Sequence, residues 1–232
     1  MYKRQIIEAT AGNTGIGLAL VAAIKGYKLI LVIPDKMSRE KILHLEGLGA
    51  EVRISRSDVS EGHPEHYQEV ARKLAAQIPG SFYADQFSNP ANPLAHSTST
   101  APEIWDQMEG KLDAIVGGVG SGGTLTGLAE FFKEKNPNIQ MVVADPVGSV
   151  VADAVTKGTY SYKGGSWFVE GIGEDFIPTN LFSIWSTLPT PCSPAISLRF
   201  LTIATPLKDS PFYKTGIPES KVIITSMGSS GA

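Results

Sequence analysis

A single cysteine, Cys192, is the whole thiol content of the 232 residues. It excludes an internal disulfide framework and a cysteine-cluster metal site, and it fits a reducing compartment. Neither sign of charge is in excess: 20 Lys and Arg stand against 23 Asp and Glu, for a net charge of −3. A general nucleic-acid binder, with its basic face, is therefore not expected. No apolar run approaches the roughly 20 residues of a membrane span. Met1-Tyr2-Lys3-Arg4 carries charge without a following apolar core, so it does not read as a secretory leader, and the expected location is cytoplasmic. Histidines are few: His44, His63, His66 and His96. His63 and His66 are close, but Pro64 and polar neighbours read as a solvated loop, and no metal site is expected.

What the chain does have is 42% hydrophobic residues in an alternating pattern, enough for a substantial core. Gln5–Ala9, Lys28–Ile33, Glu51–Ile54, Phe82–Tyr83, Asp113–Gly117 and Gln140–Ala144 read as short strands. Between them lie helical patterns at Ile16–Lys25, Arg39–Leu48, His66–Ile78, Thr100–Met108 and Thr124–Lys135. Val70, Leu74 and Ile78 fall in one helical register, as do Leu125, Leu128, Phe131 and Phe132. Gln86–His96, with Pro90 and Pro93, reads as irregular. Strands alternating with helices predict an α/β fold with parallel sheets and helices on both faces. Between Phe176 and Leu207 the only charged residue is Arg199, and prolines, serines and threonines crowd the same span. That composition shift reads as a linker, a disordered stretch or a sequence out of its usual register.

The stretch of greatest chemical interest is Asp113 to Asp145. A strand leads into Gly118-Val119-Gly120-Ser121-Gly122-Gly123, and a helix follows. Such a turn aims several backbone N–H groups at one spot, at the positive end of a helix, where an anion binds. The glycines satisfy G-x-G-x-x-G, and Asp145 ends the next strand, which is the formal pattern of dinucleotide binding. A tight turn without ligand has the same spelling. Thr124 adds a hydroxyl to the loop. A second polar loop, Thr10-Ala11-Gly12-Asn13-Thr14-Gly15, opens the first helix, and a dinucleotide site has no need of it.

Five ordered segments resemble the cystathionine β-synthase and cysteine synthase family, whose members are fold-type II pyridoxal-phosphate enzymes. Thr10–Gly15 is similar to the family's TSGNTG segment, with Ala11 in place of its serine. Pro34-Asp35-Lys36-Met37-Ser38-Arg39-Glu40 resembles PxxMSxE, and Gly120–Thr124 resembles GTGGT. Gly171-Ile172-Gly173 with Phe176-Ile177-Pro178, and the terminal Ser229-Ser230-Gly231-Ala232, resemble two more. Asp85-Gln86, Asn92–His96 and Asp145-Pro146 are closer to the cystathionine β-synthase branch.

The resemblance implies two open, twisted, mostly parallel sheets with flanking helices. It implies a substrate-side domain over 1–95, a cofactor-phosphate domain over 96–181, and a divergent tail over 182–232. It assigns Gly120, Ser121, Gly122, Gly123 and Thr124 to the phosphate of pyridoxal 5′-phosphate, Asn13 to its 3′ oxygen and Ser229 to its pyridine nitrogen. Thr10, Gly12, Thr14, Gln86, Gly171 and Gly173 fall on the side of an amino-acid substrate. The reaction implied joins serine and homocysteine into cystathionine. The alternatives are cysteine synthesis from O-acetylserine and sulfide, and a binding module without turnover. Serine at the ring nitrogen suits β-elimination. Gln86 and His96 read as structural rather than catalytic. The family's Schiff-base lysine lies well upstream of the Asn13 loop, and Lys3 is too close to be its counterpart, so no catalytic residue is assigned. The expectation is a member truncated at both ends, with weakened cofactor binding and the family's homodimer in doubt.

Overall fold

The computed structural model describes residues 5–10, 12–157, 165, 167, 169 and 171–181, with two further strands at 198–200 and 222–225. It divides into two units, one ending at Gln86 and one starting at Phe87. No helix among the described residues is long and apolar enough to cross a membrane.

The first unit runs β1 (Gln5–Ala9), α1 (Asn13–Lys25), β2 (Lys28–Pro34), α2 (Arg39–Gly47), β3 (Glu51–Ser55), α3 (Tyr67–Gln77) and β4 (Ser81–Tyr83). Its sheet has the order β3-β2-β1-β4, and each neighbouring pair is parallel. β2 is buried from Leu29 to Pro34, because helices cover both faces of a parallel sheet and leave no alternation to solvent. Ile6, Ala19, Leu29, Leu31, Ile33 and Leu45 form the core. Ser38 caps α2 by accepting the Lys41 N–H at 3.4 Å, as its position before the helix predicts.

The second unit runs α4 (Ala91–Ala95), a π-helical turn (His96–Thr100), α5 (Ala101–Gln107), β5 (Ala114–Gly118), α6 (Gly123–Lys135), β6 (Gln140–Pro146), α7 (Val151–Lys157), β7 (Leu198–Phe200) and β8 (Val222–Thr225). Its sheet is also parallel throughout, ordered β7-β6-β5-β8. The apolar side of α6 packs into the core as its spacing predicts. Leu125, Leu128 and Phe132 are buried there with Ile115, Ile139 and Met141. Phe131 is partly buried and meets Phe132 edge-on at 5.4 Å between centroids. Each fully buried side chain of this size contributes about 1.5–3 kcal/mol.

Several local expectations are corrected. Asn13 and Thr14 belong to the first turn of α1 rather than to a loop ahead of it. Residues 91–100 are helical, not irregular. Pro90 and Pro93 sit at the helix start, where N–H groups have no intrahelical acceptor to lose. On α3 the buried side is Tyr67, Gln68 and Ala71, while Val70, Leu74 and Ile78 are half-buried. His66 is buried ahead of α3, its ring 4.5 Å from that of Tyr67, and is no part of a solvated loop. The low-charge tail supplies β7 and β8 to the second sheet; the rest of 182–232 lies outside the described residues.

Two glycines separate packing from propensity. A Cβ at Gly127, inside α6, would fall on the Pro93 carbonyl and lie 2.8 Å from both His96 Cβ and Ser97 N. At Gly47, at the end of α2, it would meet nothing within 4 Å. Gly127→Ala is expected to cost about 1–3 kcal/mol of stability through overpacking. Gly47→Ala should be neutral or stabilise by up to about 1 kcal/mol. Urea denaturation of the two variants checks this; equal midpoints would refute the packing account.

Candidate functional site

The glycine turn of the second unit is built by close packing. Gly118 ends β5, and Gly122 is the N-cap of α6 at φ +83°, a left-handed conformation that favours glycine. A Cβ on Gly118 would fall on Ile172. One on Gly120 would lie 2.8 Å from the Gly171 carbonyl oxygen, and one on Gly123 would fall inside the Asn92 carboxamide. The segment 171–181 thus lies directly against the turn. The Gly173 N–H donates to the Val119 carbonyl at 2.8 Å, and Thr126 Oγ1 donates to the Asn180 carbonyl at 3.0 Å. Two of the segments singled out in the sequence, Gly118–Thr124 and Gly171–Pro178, are therefore one structural feature.

Side chains from α4 and the π turn hold the hydroxyls of the loop. Asn92 Nδ2 donates to Ser121 Oγ at 2.9 Å. His96 Nε2 lies 3.1 Å from Thr124 Oγ1, and its Nδ1 lies 3.1 Å from Thr100 Oγ1. His96 is buried, and desolvation lowers its pKa, which favours the neutral ring. The backbone N–H groups from Gly120 to Thr124 have no acceptor among the described residues. They converge at the start of a 13-residue helix, where the macrodipole adds to them. The arrangement suits a compact anion.

Asp145, the acid of the dinucleotide pattern, is otherwise engaged. It is 1% exposed, and its Oδ2 accepts the Ala152 N–H of α7 at 2.8 Å. A carboxylate used as a buried helix cap is withdrawn from ribose recognition.

In the first unit, Thr10, Gly12, Asn13, Thr14 and Gln86 gather at the end of β1 and the start of α1. Thr10 is buried, and its Oγ1 accepts the Gly12 N–H at 3.0 Å, so these two groups lock the turn. Thr14 Oγ1 donates to Gln86 Oε1 at 2.7 Å, and Gln86 Nε2 donates to the Ala9 carbonyl at 2.9 Å. Gln86 is thereby the brace of the loop. Asn13 stands at the first helical position, partly exposed. Gly171 and Gly173 belong to the second unit, beside the glycine turn. Ser229 and Ala11 lie outside the described residues. Among the described residues no group of three or more His, Cys, Asp or Glu is placed to hold a metal.

The residue that motif reading passed over is Glu8. It is 0% exposed within β1. Its Oε1 accepts the Ala9 N–H at 2.8 Å, and its Oε2 accepts the Gln86 N–H at 3.3 Å. Asp85, at φ +49°, turns the chain so that this N–H reaches it. The available signal was a lone charged residue in the apolar run Ile6-Ile7-Glu8-Ala9. Burial pushes the Glu8 carboxyl up from 4.5 to about 8, against the hydrogen bonds that favour its charged form.

The sign of the consequence follows from proton counts. Between pH 4.5 and about 8 the unfolded chain has Glu8 ionised, while the folded chain keeps it protonated. The folded state binds the extra proton, so this contribution is fully present below pH 4.5 and is lost as pH rises to about 8. Glu8→Gln should flatten the pH dependence of the unfolding midpoint across that window. Parallel curves for the two proteins would contradict it.

With this geometry in view, comparison with known proteins gives a consistent result. The model of the family described as pyridoxal-phosphate dependent enzyme matches residues 2–188. The chain is 49% identical over 176 residues to cystathionine beta-synthase of Apis mellifera, covering 76% of this chain and 34% of that protein. It is 43% identical over 179 residues to cysteine synthase 3 of Caenorhabditis elegans, covering 77% of this chain and 50% of the other. A crystal structure of O-acetylserine dependent cystathionine beta-synthase from Helicobacter pylori superposes with a TM-score of 0.69 at 40% identity, covering 78% of this chain and 56% of that one. The chain thus spans about a third of the length of the Apis mellifera protein. The chain belongs to the pyridoxal-phosphate-dependent enzyme family, among the relatives of cystathionine β-synthase and cysteine synthase.

Proposed function

We propose that this chain carries the phosphate cradle and the substrate loop of a pyridoxal-phosphate-dependent β-replacement on serine, with homocysteine as the incoming thiol and cystathionine as product. The observation that carries the reading is the set of N–H groups from Gly120 to Thr124, which find no acceptor among the described residues and stand beside two fixed hydroxyls. A phosphate dianion fits that donor set. The Cβ-free faces of Gly120 and Gly123 are taken up by Gly171 and Asn92, which keeps the pocket's wall rigid and its donors inward. The family's pyridoxal phosphate, when bound, supplies an electron sink for chemistry at the substrate's β-carbon.

This chain's residues do the holding. Gly120, Ser121, Gly122, Gly123 and Thr124 grip the phosphate. Asn13 offers its carboxamide to the ring's 3′ oxygen, and Ser229 is assigned to the ring nitrogen. Thr10, Gly12, Thr14 and Gln86 are assigned to the substrate side, on a turn locked by the Gly12 N–H to Thr10 Oγ1 bond and by the Thr14 hydroxyl donated to Gln86 Oε1. A reducing, cytoplasmic setting suits the chain's single thiol.

A second reading is cysteine synthesis from O-acetylserine and sulfide. It is favoured by the match to cysteine synthase 3 and by the O-acetylserine dependence stated for the Helicobacter pylori enzyme.

The test is a titration of the purified chain with pyridoxal phosphate, read by visible absorbance. The expected result is saturable binding, competed by inorganic phosphate. Absence of binding overturns the cofactor reading. Where turnover is observed, product analysis with serine and homocysteine against O-acetylserine and sulfide separates the two reactions.

A further inference from the structure

The π turn His96–Thr100 presents four consecutive hydroxyl residues, and their accounting is uneven. Ser97 and Thr98 donate to the Leu94 carbonyl, and Ser99 donates to that of Ala95. Thr100 does otherwise: its hydroxyl meets His96 Nδ1 at 3.1 Å, and no other partner is found for it among the described residues. On the other side of the ring Thr124 Oγ1 meets Nε2 at 3.1 Å, likewise with no second partner among the described residues.

A neutral imidazole has one N–H and one bare nitrogen. Two hydroxyls and one imidazole therefore hold three protons for two hydrogen bonds. One proton must point out of the chain, at the Thr100 end or at the Thr124 end. The Thr124 end opens on the loop whose N–H groups already converge for an anion. If Thr124 donated to Nε2, its lone pairs would face that loop's ligand, a repulsive arrangement against a dianion. The reverse order sends every donor the same way. Thr100 O–H donates to Nδ1, Nε2–H donates to Thr124 Oγ1, and Thr124 O–H donates to the anion.

We propose that His96 is a positioning residue of the phosphate cradle: a neutral, Nε2-protonated imidazole held by Thr100 that aims the Thr124 hydroxyl proton at the bound anion. The inference rests on the cofactor reading of the glycine turn. Its burial keeps the ring from taking a second proton, which would leave Thr100 without an acceptor. The role assigned to Thr100 is to fix the tautomer from the side away from the ligand. His96 touches no reacting atom in this account; it acts through Thr124.

The experiment uses the full chain with 15N-labelled histidine, with long-range proton–nitrogen spectra recorded with pyridoxal phosphate, with pyridoxal and without ligand. With pyridoxal phosphate, His96 should be neutral with Nε2 protonated and Nδ1 bare. Pyridoxal, which lacks the phosphate, should leave the ligand-free spectrum unchanged. Thr100→Val should weaken pyridoxal phosphate binding about three- to tenfold, the loss of one directed hydrogen bond. Thr100→Ser, which restores the hydroxyl, should recover it. An Nδ1-protonated or charged ring in the loaded protein overturns the inference while leaving the cradle intact. So does unaltered affinity in a folded Thr100→Val protein. Failure of the native chain to bind pyridoxal phosphate overturns the cradle reading, and this inference with it.

Discussion

Backbone N–H groups at the start of α6, without acceptors among the described residues, are the constraint on which the second unit depends. A helix begins with four such donors, and a side-chain cap commonly takes one. Here no side chain among the described residues caps the helix. The turn is instead closed by contact. Ile172, Gly171 and Asn92 occupy the space where side chains on Gly118, Gly120 and Gly123 would be. The donors cannot be shielded by the residues that carry them, so they stay available to a ligand. The same contacts fix the segment after Gly171 against the turn. A region that reads as two separate motifs is one packed object.

The first unit solves a different problem with a different currency. Its loop at Thr10–Thr14 is held by a buried carboxyl and an amide rather than by close glycine packing. Glu8 collects N–H groups from Ala9 and Gln86, and Gln86 ties Thr14 to Ala9. Burial disfavours charge on Glu8, while the N–H groups favour it; desolvation is the larger of the two. A protonated Glu8 also removes a like charge from beside Asp85. The loop is thus braced by a carboxyl that burial holds neutral up to about pH 8, and beyond that pH the buried charge costs the fold stability.

Much of this was legible in the sequence, and the parts that were not have physical reasons. Strands and helices were readable because burial on both faces leaves long apolar runs such as Leu29–Ile33, and one-sided burial leaves the period of Leu125, Leu128 and Phe132. The glycine turn was readable as an anion site, since spelling dictates backbone there. Its second wall was not readable from the glycines: that Gly123 needs Asn92, and Gly118 needs Ile172, is a fact of tertiary contact. The helical run from Ala91 was obscured by two prolines, whose cost vanishes in a first turn. Asp145 satisfied a motif by position and is used as a cap, because a buried carboxylate goes to whichever donor is nearest. Glu8 carried a visible signal, a charge in an apolar strand, whose meaning depended on Asp85 and Gln86 some eighty residues away.

The central claim is that the donors of Gly120–Thr124 receive the phosphate of pyridoxal phosphate. The most direct measurement is a backbone amide map of the full chain during titration with pyridoxal 5′-phosphate and, separately, with pyridoxal. The account predicts that the amide signals of Gly120, Ser121, Gly122, Gly123 and Thr124 shift with the phosphorylated compound and stay in place with pyridoxal. Equal shifts with both compounds, or shifts confined to other residues, would contradict it.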